Sequence, residues 1–194
     1  MKHLIKGGKI YDGTGSSPYL GDILVENDKI VHIAPSIDVS LADKVTDISG
    51  KSVAPGFIDG HSHNDWFAVK NDPLPYFEPF IRQGITTFVT GNCGTSAAGF
   101  KKDTPHLDKI GGGLFAYKSD AAGVYPDVSG LFTAIDASCP GNMAMLAGHG
   151  TARASVAGNA NRPLTEEEEK RMLSLLEESL QKGAAGISLG LMYE

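Results

Sequence analysis

Residues 53–67 read VAPGFIDGHSHNDWF, an apolar run punctuated by Pro55 and two glycines that ends on two histidines one residue apart, His61 and His63. In an extended chain residues i and i+2 face the same way, so the pair aims two imidazoles at one point. That is a metal-ligand geometry. It is also how a strand ends when two solvated histidines follow it, and the segment taken alone fits that simpler reading at least as well. The choice depends on what kind of strand this is and on what ends the strands after it.

Onward from Val53 the chain alternates long apolar runs with helical stretches. Strand candidates are SVAPGFIDG (52–60), ITTFVTGN (85–92), NMAMLAGHG (142–150) and AAGISLGLMY (184–193); helix candidates are LPYFEPFIRQG (74–84), DVSGLFTAIDAS (127–138) and LTEEEEKRMLSLLEESLQKG (164–183). The last carries a capping box in Thr165 and Glu168, an apolar stripe of Leu173, Leu176 and Leu180, and Gly183 just past its end. Its run of glutamates reads as a solvated first turn that suits the helix dipole. From about Phe100 to Gly123, with KKDTPH and a GGG run, the chain reads as a long loop, a lid or insertion. Alternation of this kind builds a parallel sheet, open or closed into a barrel. Residues 55–194 hold 140 positions, a little over half of the roughly 250 that a (β/α)8 TIM barrel takes. About four strands, the N-terminal part of such a barrel, is the expectation. The pattern stops inside GISLGLMYE without a turn or cap, so a truncated chain is expected.

Before Val53 the runs are shorter: HLIKGGKIYDG, GDILVENDKIVHIAP and KVTDISGKSVAPG, separated by Asp12-Gly13, Asn27-Asp28 and Ser49-Gly50. These are hairpin signals and predict a small antiparallel unit with too few strands to stand alone. The predicted organisation is an incomplete β-sandwich-type domain over 1–54, followed by the half-barrel over 55–194.

Composition excludes several classes. Hydrophobic residues make up 41% and charged residues 21% of the 194, an ordinary globular balance. Seventeen Lys and Arg against 23 Asp and Glu give a net charge of −6 without a basic stripe, so no nucleic-acid partner is expected. The start lacks the apolar core of roughly 7 to 15 residues that a signal peptide needs, and no apolar run nears the roughly 18 of a membrane helix. The expected setting is cytoplasmic, with no membrane partner. Two cysteines, Cys93 and Cys139, do not make a secreted disulfide framework.

The ends of the strand candidates bear on whether His61 and His63 are ligands or a solvated strand end. Cys93 ends the second, in TTFVTGNCGTS, among glycines that let backbone approach a ligand. Thiolate and imidazole are ligands that zinc prefers, although a lone cysteine is more often a buried structural residue. His149 closes the third candidate, with Arg153 four residues on, where a guanidinium can hold a substrate carboxylate bidentately; a loop histidine and a surface arginine are as good a reading. Tyr193 closes the fourth as a hydrogen-bond donor to substrate or a packing aromatic. Cys139, at a helix end, reads as structural. All four candidates end in a chemically capable residue at the face where parallel folds place their sites.

Together these segments resemble a known family. SVAPGFIDGHSHND is similar to the first-strand signature of the amidohydrolase superfamily, and GITTFVTGNCGTS, MLAGHGTAR and GISLGLMYE are similar to segments of its N-acyl-D-amino-acid deacylase (D-aminoacylase) branch. The resemblance runs from GGKIYDGTG to the last residue. It implies zinc-dependent hydrolysis of the amide bond of a small-molecule N-acyl-D-amino acid, with one or two zinc ions and with His61, His63 and Cys93 as metal ligands. It also implies further histidines and a general-base aspartate from later strands, beyond Glu194. On that ground the chain alone is expected to be inactive and to associate, as a homo-oligomer or with a second chain completing the barrel. A cyclic-amide hydrolase of the dihydroorotase or hydantoinase type shares the first-strand motif, and a non-catalytic metal-binding subunit is the reading outside enzymes.

Overall fold

The computed structural model describes residues 1–111, 115–118, 120–136 and 138–191. The chain divides into two compact units, Met1–Gly56 and Phe57–Glu194.

The first unit is one five-stranded sheet built from β1 (Lys2–Ile10), β2 (Tyr19–Glu26), β3 (Lys29–Ala34), β4 (Lys44–Asp47) and β5 (Ser52–Val53). The expected hairpins form: β1 pairs antiparallel with β2, and β2 with β3 across the Asn27-Asp28 turn, where Asn27 takes a left-handed φ of 56°. The expectation of a purely antiparallel unit is corrected by β4 and β5, which run parallel to β1. A crossover makes this possible, and buried Asp22 anchors it by accepting from Gly7 N at 2.8 Å and Ile37 N at 2.9 Å. Leu4, Leu24 and Ile37 close the small core beneath.

The second unit is a curled parallel sheet, a half-barrel, of β6 (Phe57–Asp59), β7 (Ile85–Thr90), β8 (Asn142–Gly148) and β9 (Gly186–Ser188), in that spatial order. The helices are α1 (Asp65–Ala68), α2 (Leu74–Ile81), α3 (Val128–Ile135), α4 (His149–Ala157) and α5 (Glu166–Gln181). Phe88 of β7 meets Phe77 and Phe80 of α2 edge-on, with ring centroids 5.1 and 5.7 Å apart, and Leu131, Ile135 and Met145 complete this core.

Three expectations are corrected here. The first strand candidate splits at Ala54-Pro55-Gly56: Ser52–Val53 joins the first unit's sheet and Phe57–Asp59 the parallel one. Pro55 has no N–H to continue a ladder, which separates the two pieces. The third candidate ends at Gly148, so His149 opens α4 instead of closing a strand. On α5 the buried stripe is Met172, Leu175, Leu176 and Ser179, while Leu173 and Leu180 face solvent. Positions i, i+3, i+4 and i+7 form that face, and it packs on Ala147 and Ala152.

The start of α5 has the expected capping box: Thr165 Oγ1 accepts from Glu168 N, and Glu168 Oε2 accepts from Thr165 N at 2.8 Å. Arg162 adds a bidentate pair to the same carboxylate at 2.7 Å on both arms. Those bonds pull Glu168 from its ordinary 4.5 down to about 2. A depressed carboxylate stabilises the fold above its ordinary pKa and loses that contribution as pH falls through the folded value. Acid titration by far-UV circular dichroism is therefore expected to show helix loss in Glu168→Gln at a higher pH than in the parent chain; coincident curves would contradict the capping account.

Candidate metal centre

The site starts from two turns at the carboxyl ends of β6 and β7. After Asp59 the chain leaves the strand, so His61 and His63 sit on the bend that leads into α1 and not on the strand itself. Asp59 Oδ1 accepts from His61 N at 3.0 Å and shapes the bend. The next strand turns through Gly91, Asn92, Cys93 and Gly94, three of which have left-handed φ: 70° at Gly91, 56° at Cys93 and 74° at Gly94. A Cβ on Gly91 would lie 2.0 Å from the Leu146 carbonyl oxygen, so only glycine fits there. Cys93 holds a conformation that non-glycine residues seldom adopt, and it does so because its neighbours are tied down on both sides.

Those ties come from every strand of the sheet. Asn92 Nδ2 donates to the carbonyls of Ser62 at 3.2 Å and Val89 at 2.9 Å, and Ser62 N donates to Val89 O at 2.9 Å. Gly94 N donates to Ser188 Oγ at 3.0 Å at the end of β9, and the Ser188 hydroxyl donates to Gly91 O. Thr151 N, in the first turn of α4, donates to Gly94 O at 3.0 Å. Asp65 connects the two turns directly: its carboxylate accepts from Ala97 N at 2.8 Å and from Gly91 N at 3.4 Å. Complete burial pushes Asp65 up to about 7, against the pull of those N–H donors.

The result is a cluster. Cys93 Sγ lies 3.3 Å from His61 Nε2, the His61 and His63 rings are 5.9 Å apart at 75°, and one ligand atom from each of His61, His63 and Cys93 falls within 4.8 Å of the others. His61 is exposed and the other two are half-buried. Burial first, and then the neighbouring His61, lowers the His63 pKa and favours the neutral imidazole that binds metals. His63 Nδ1 is buried with no hydrogen-bond partner.

His149 is half-buried at the first residue of α4 and is not in the His/Cys cluster formed by the described residues. The Arg153 guanidinium donates from Nη2 to the carbonyls of Ala160 and Arg162, both at 3.1 Å, toward the α4–α5 connection. Tyr193 lies outside the described residues. Cys139 lines a cavity of about 520 Å³ with Thr86, Phe132 and Asn142, at the amino ends of β7 and β8 and so away from the histidines. Asp65 and Ser188 escape sequence reading. An acid two residues past the second histidine was a signal for the first; Ser188 offered none beyond a small polar residue at a strand end.

The amidohydrolase family profile matches residues 44–193. D-aminoacylase of Alcaligenes xylosoxydans xylosoxydans is 36% identical over 193 residues, covering 98% of this chain and 38% of that protein. Among solved structures, N-acyl-D-glutamate deacylase from Bordetella bronchiseptica, complexed with zinc and a phosphonate mimic of the tetrahedral intermediate, superposes with a TM-score of 0.80 at 36% identity, over 99% of this chain and 39% of that one. A D-aminoacylase studied for the role of its binuclear metal centre superposes with a TM-score of 0.79 at 33% identity, over 99% and 39%. The chain thus spans under two fifths of the length of these relatives.

Removing the Asp65 carboxylate leaves the Ala97 and Gly91 N–H groups buried and unmet. Asp65→Ala is expected to lower the unfolding free energy by about 1–3 kcal/mol in urea denaturation; an unchanged midpoint and slope would show that this bridge does not hold the turns together.

Proposed function

The chain belongs to the amidohydrolase family, and from that premise we propose that it supplies the first half of a metal-dependent active site that hydrolyses the amide bond of N-acyl-D-amino acids. The observation that carries this reading is the convergence of His61, His63 and Cys93 ligand atoms within 4.8 Å. Two imidazoles and a cysteine sulfur are a donor set that suits zinc. The named relatives, one complexed with zinc and one with a binuclear centre, support one or two ions here. In this reading residues 1–54 form the partial β domain and 55–194 the first half of the barrel.

A zinc ion in this ligand set supplies polarisation of the scissile carbonyl and a water acidified toward neutral pKa. The chain's own residues do the holding. His61 and His63 present their nitrogens from one bend, and Cys93 brings its sulfur from the next turn. Asp65 orients: its two oxygens accept backbone N–H groups from the cysteine turn, so it braces that turn against the histidine bend. The His/Cys cluster contains no carboxylate among the described residues. Turnover by residues 1–194 alone is therefore expected to be slight.

Small N-acyl-D-amino acids are the proposed substrates. Cys93 and the deacylases named above favour this over the cyclic-amide reading. No helix among the described residues is long and apolar enough to cross a membrane, and free Cys93 and Cys139 suit the reducing cytoplasm. β6 and β9 are the outer strands of the parallel sheet, and such edges favour pairing with another copy or a second chain.

Elemental analysis of chain purified without chelators and loaded with zinc is expected to find one or two bound equivalents, and His61→Ala with His63→Ala to abolish them. Equal zinc in the double variant would overturn the assignment. Turnover of N-acetyl-D-amino acids by residues 1–194 at the rate of a full-length relative would contradict the expected inactivity while leaving the metal site standing.

A further inference from the structure

The long stretch read as a lid or insertion has its described residues tied to the rest of the unit at several points. It leaves and returns at one point, where the N–H groups of Gly99 and Phe100 both donate to Pro126 O at 2.8 and 3.0 Å. Lys101 N donates to Ser155 Oγ at 3.2 Å, Thr104 Oγ1 to Ser155 O at 2.6 Å, and Ala122 N to Val69 O at 2.6 Å. The Tyr117 hydroxyl donates to Ala97 O, and Lys70 pairs with Asp120 at 2.7 Å. Its inner side chains pack with Trp66 and Ala97: Phe100 and Ile110 are buried there, with Leu107, Phe115 and Tyr117 against them.

One of those side chains reaches the cluster. Phe115 lies nearly flat on the His63 ring, with centroids 4.7 Å apart and planes at 25°. On Trp66 it stacks at 6.1 Å and 14°, and it meets Phe67 edge-on at 6.3 Å. A ligating imidazole is ordinarily oriented by a hydrogen bond from its second nitrogen. His63 lacks such a bond at Nδ1. What restrains its ring plane is the Phe115 face, because rotation of the imidazole about Cβ–Cγ drives its edge into the phenyl ring.

The geometry points to Phe115 as the positioning residue of His63: the anchored loop sets the plane of the imidazole and so aims its nitrogen at the point shared with His61 and Cys93. This rests on the reading of the cluster as a metal site. Phe115 does not touch the ion; it acts through His63. Among the described residues of the loop, Phe115 is the one whose ring faces His63.

The test uses the whole chain, metal-free, titrated with Co²⁺. Binding is read from the thiolate-to-cobalt charge-transfer absorption, which reports Cys93, and from quenching of Trp66, the single tryptophan. Phe115→Leu keeps an apolar side chain and removes the ring; Phe115→Tyr keeps the ring. Phe115→Leu is expected to weaken Co²⁺ binding roughly 3- to 10-fold, the worth of one aromatic pair, with the charge-transfer band retained. Phe115→Tyr is expected to bind within roughly twofold of the parent chain. Circular dichroism and thermal unfolding of each apo variant separate this from loss of fold. Parent-like binding by Phe115→Leu, or equal loss in Phe115→Leu and Phe115→Tyr, would overturn the positioning role while His63→Ala still abolishes binding. Parent-like binding by His63→Ala itself would overturn the metal reading and this inference with it.

Discussion

Asp65 is fully buried, and its two carboxylate oxygens accept backbone N–H groups on either side of Cys93, from Gly91 and Ala97. The residue follows His63 by two positions, so one carboxylate fastens the bend that carries both histidines to the turn that carries the cysteine. The remaining bonds around that turn add to the same constraint. Asn92 grips Ser62 and Val89, Ser188 grips Gly91 and Gly94, and Thr151 reaches Gly94 from the start of α4. Each strand of the parallel sheet ends on this knot. A left-handed Cys93 persists because the surrounding bonds leave it no other course.

Burial drives Asp65 up to about 7 and His63 downward, so each is held nearer its neutral form than it would be in water. Desolvation is the common cause, and the N–H donors to Asp65 only partly offset it. A divalent ion beside His61, His63 and Cys93 would favour the carboxylate and the neutral imidazole together. On the aromatic side Phe115 stacks on the His63 ring, and Trp66 stacks in turn on Phe115.

Much of this was legible in the sequence. Two histidines two positions apart, and a cysteine among glycines at the next strand end, are local patterns, and the structure places all three together. The β–α alternation and the Thr165 capping box were local too. What escaped depends on tertiary partners. Pro55 splits the first strand candidate between two sheets, which the apolar run conceals. The buried stripe of α5 is Met172, Leu175, Leu176 and Ser179 because Ala147 and Ala152 lie beneath it; periodicity alone allowed the neighbouring Leu173 and Leu180 stripe equally well. His149 opens a helix because Gly148 ends the strand one residue earlier than the apolar pattern suggests. Ser188 and Phe115 have no motif, and their roles come from partners 97 and 52 positions away in the chain, Gly91 and His63.

Whether His61, His63 and Cys93 bind one ion together through nitrogen and sulfur is read from zinc K-edge X-ray absorption on the zinc-loaded chain. The expected spectrum has a mixed coordination shell, with one sulfur at about 2.3 Å and nitrogens at about 2.0–2.1 Å, the sulfur lost in Cys93→Ser. A shell of nitrogen and oxygen alone in the parent chain would contradict it.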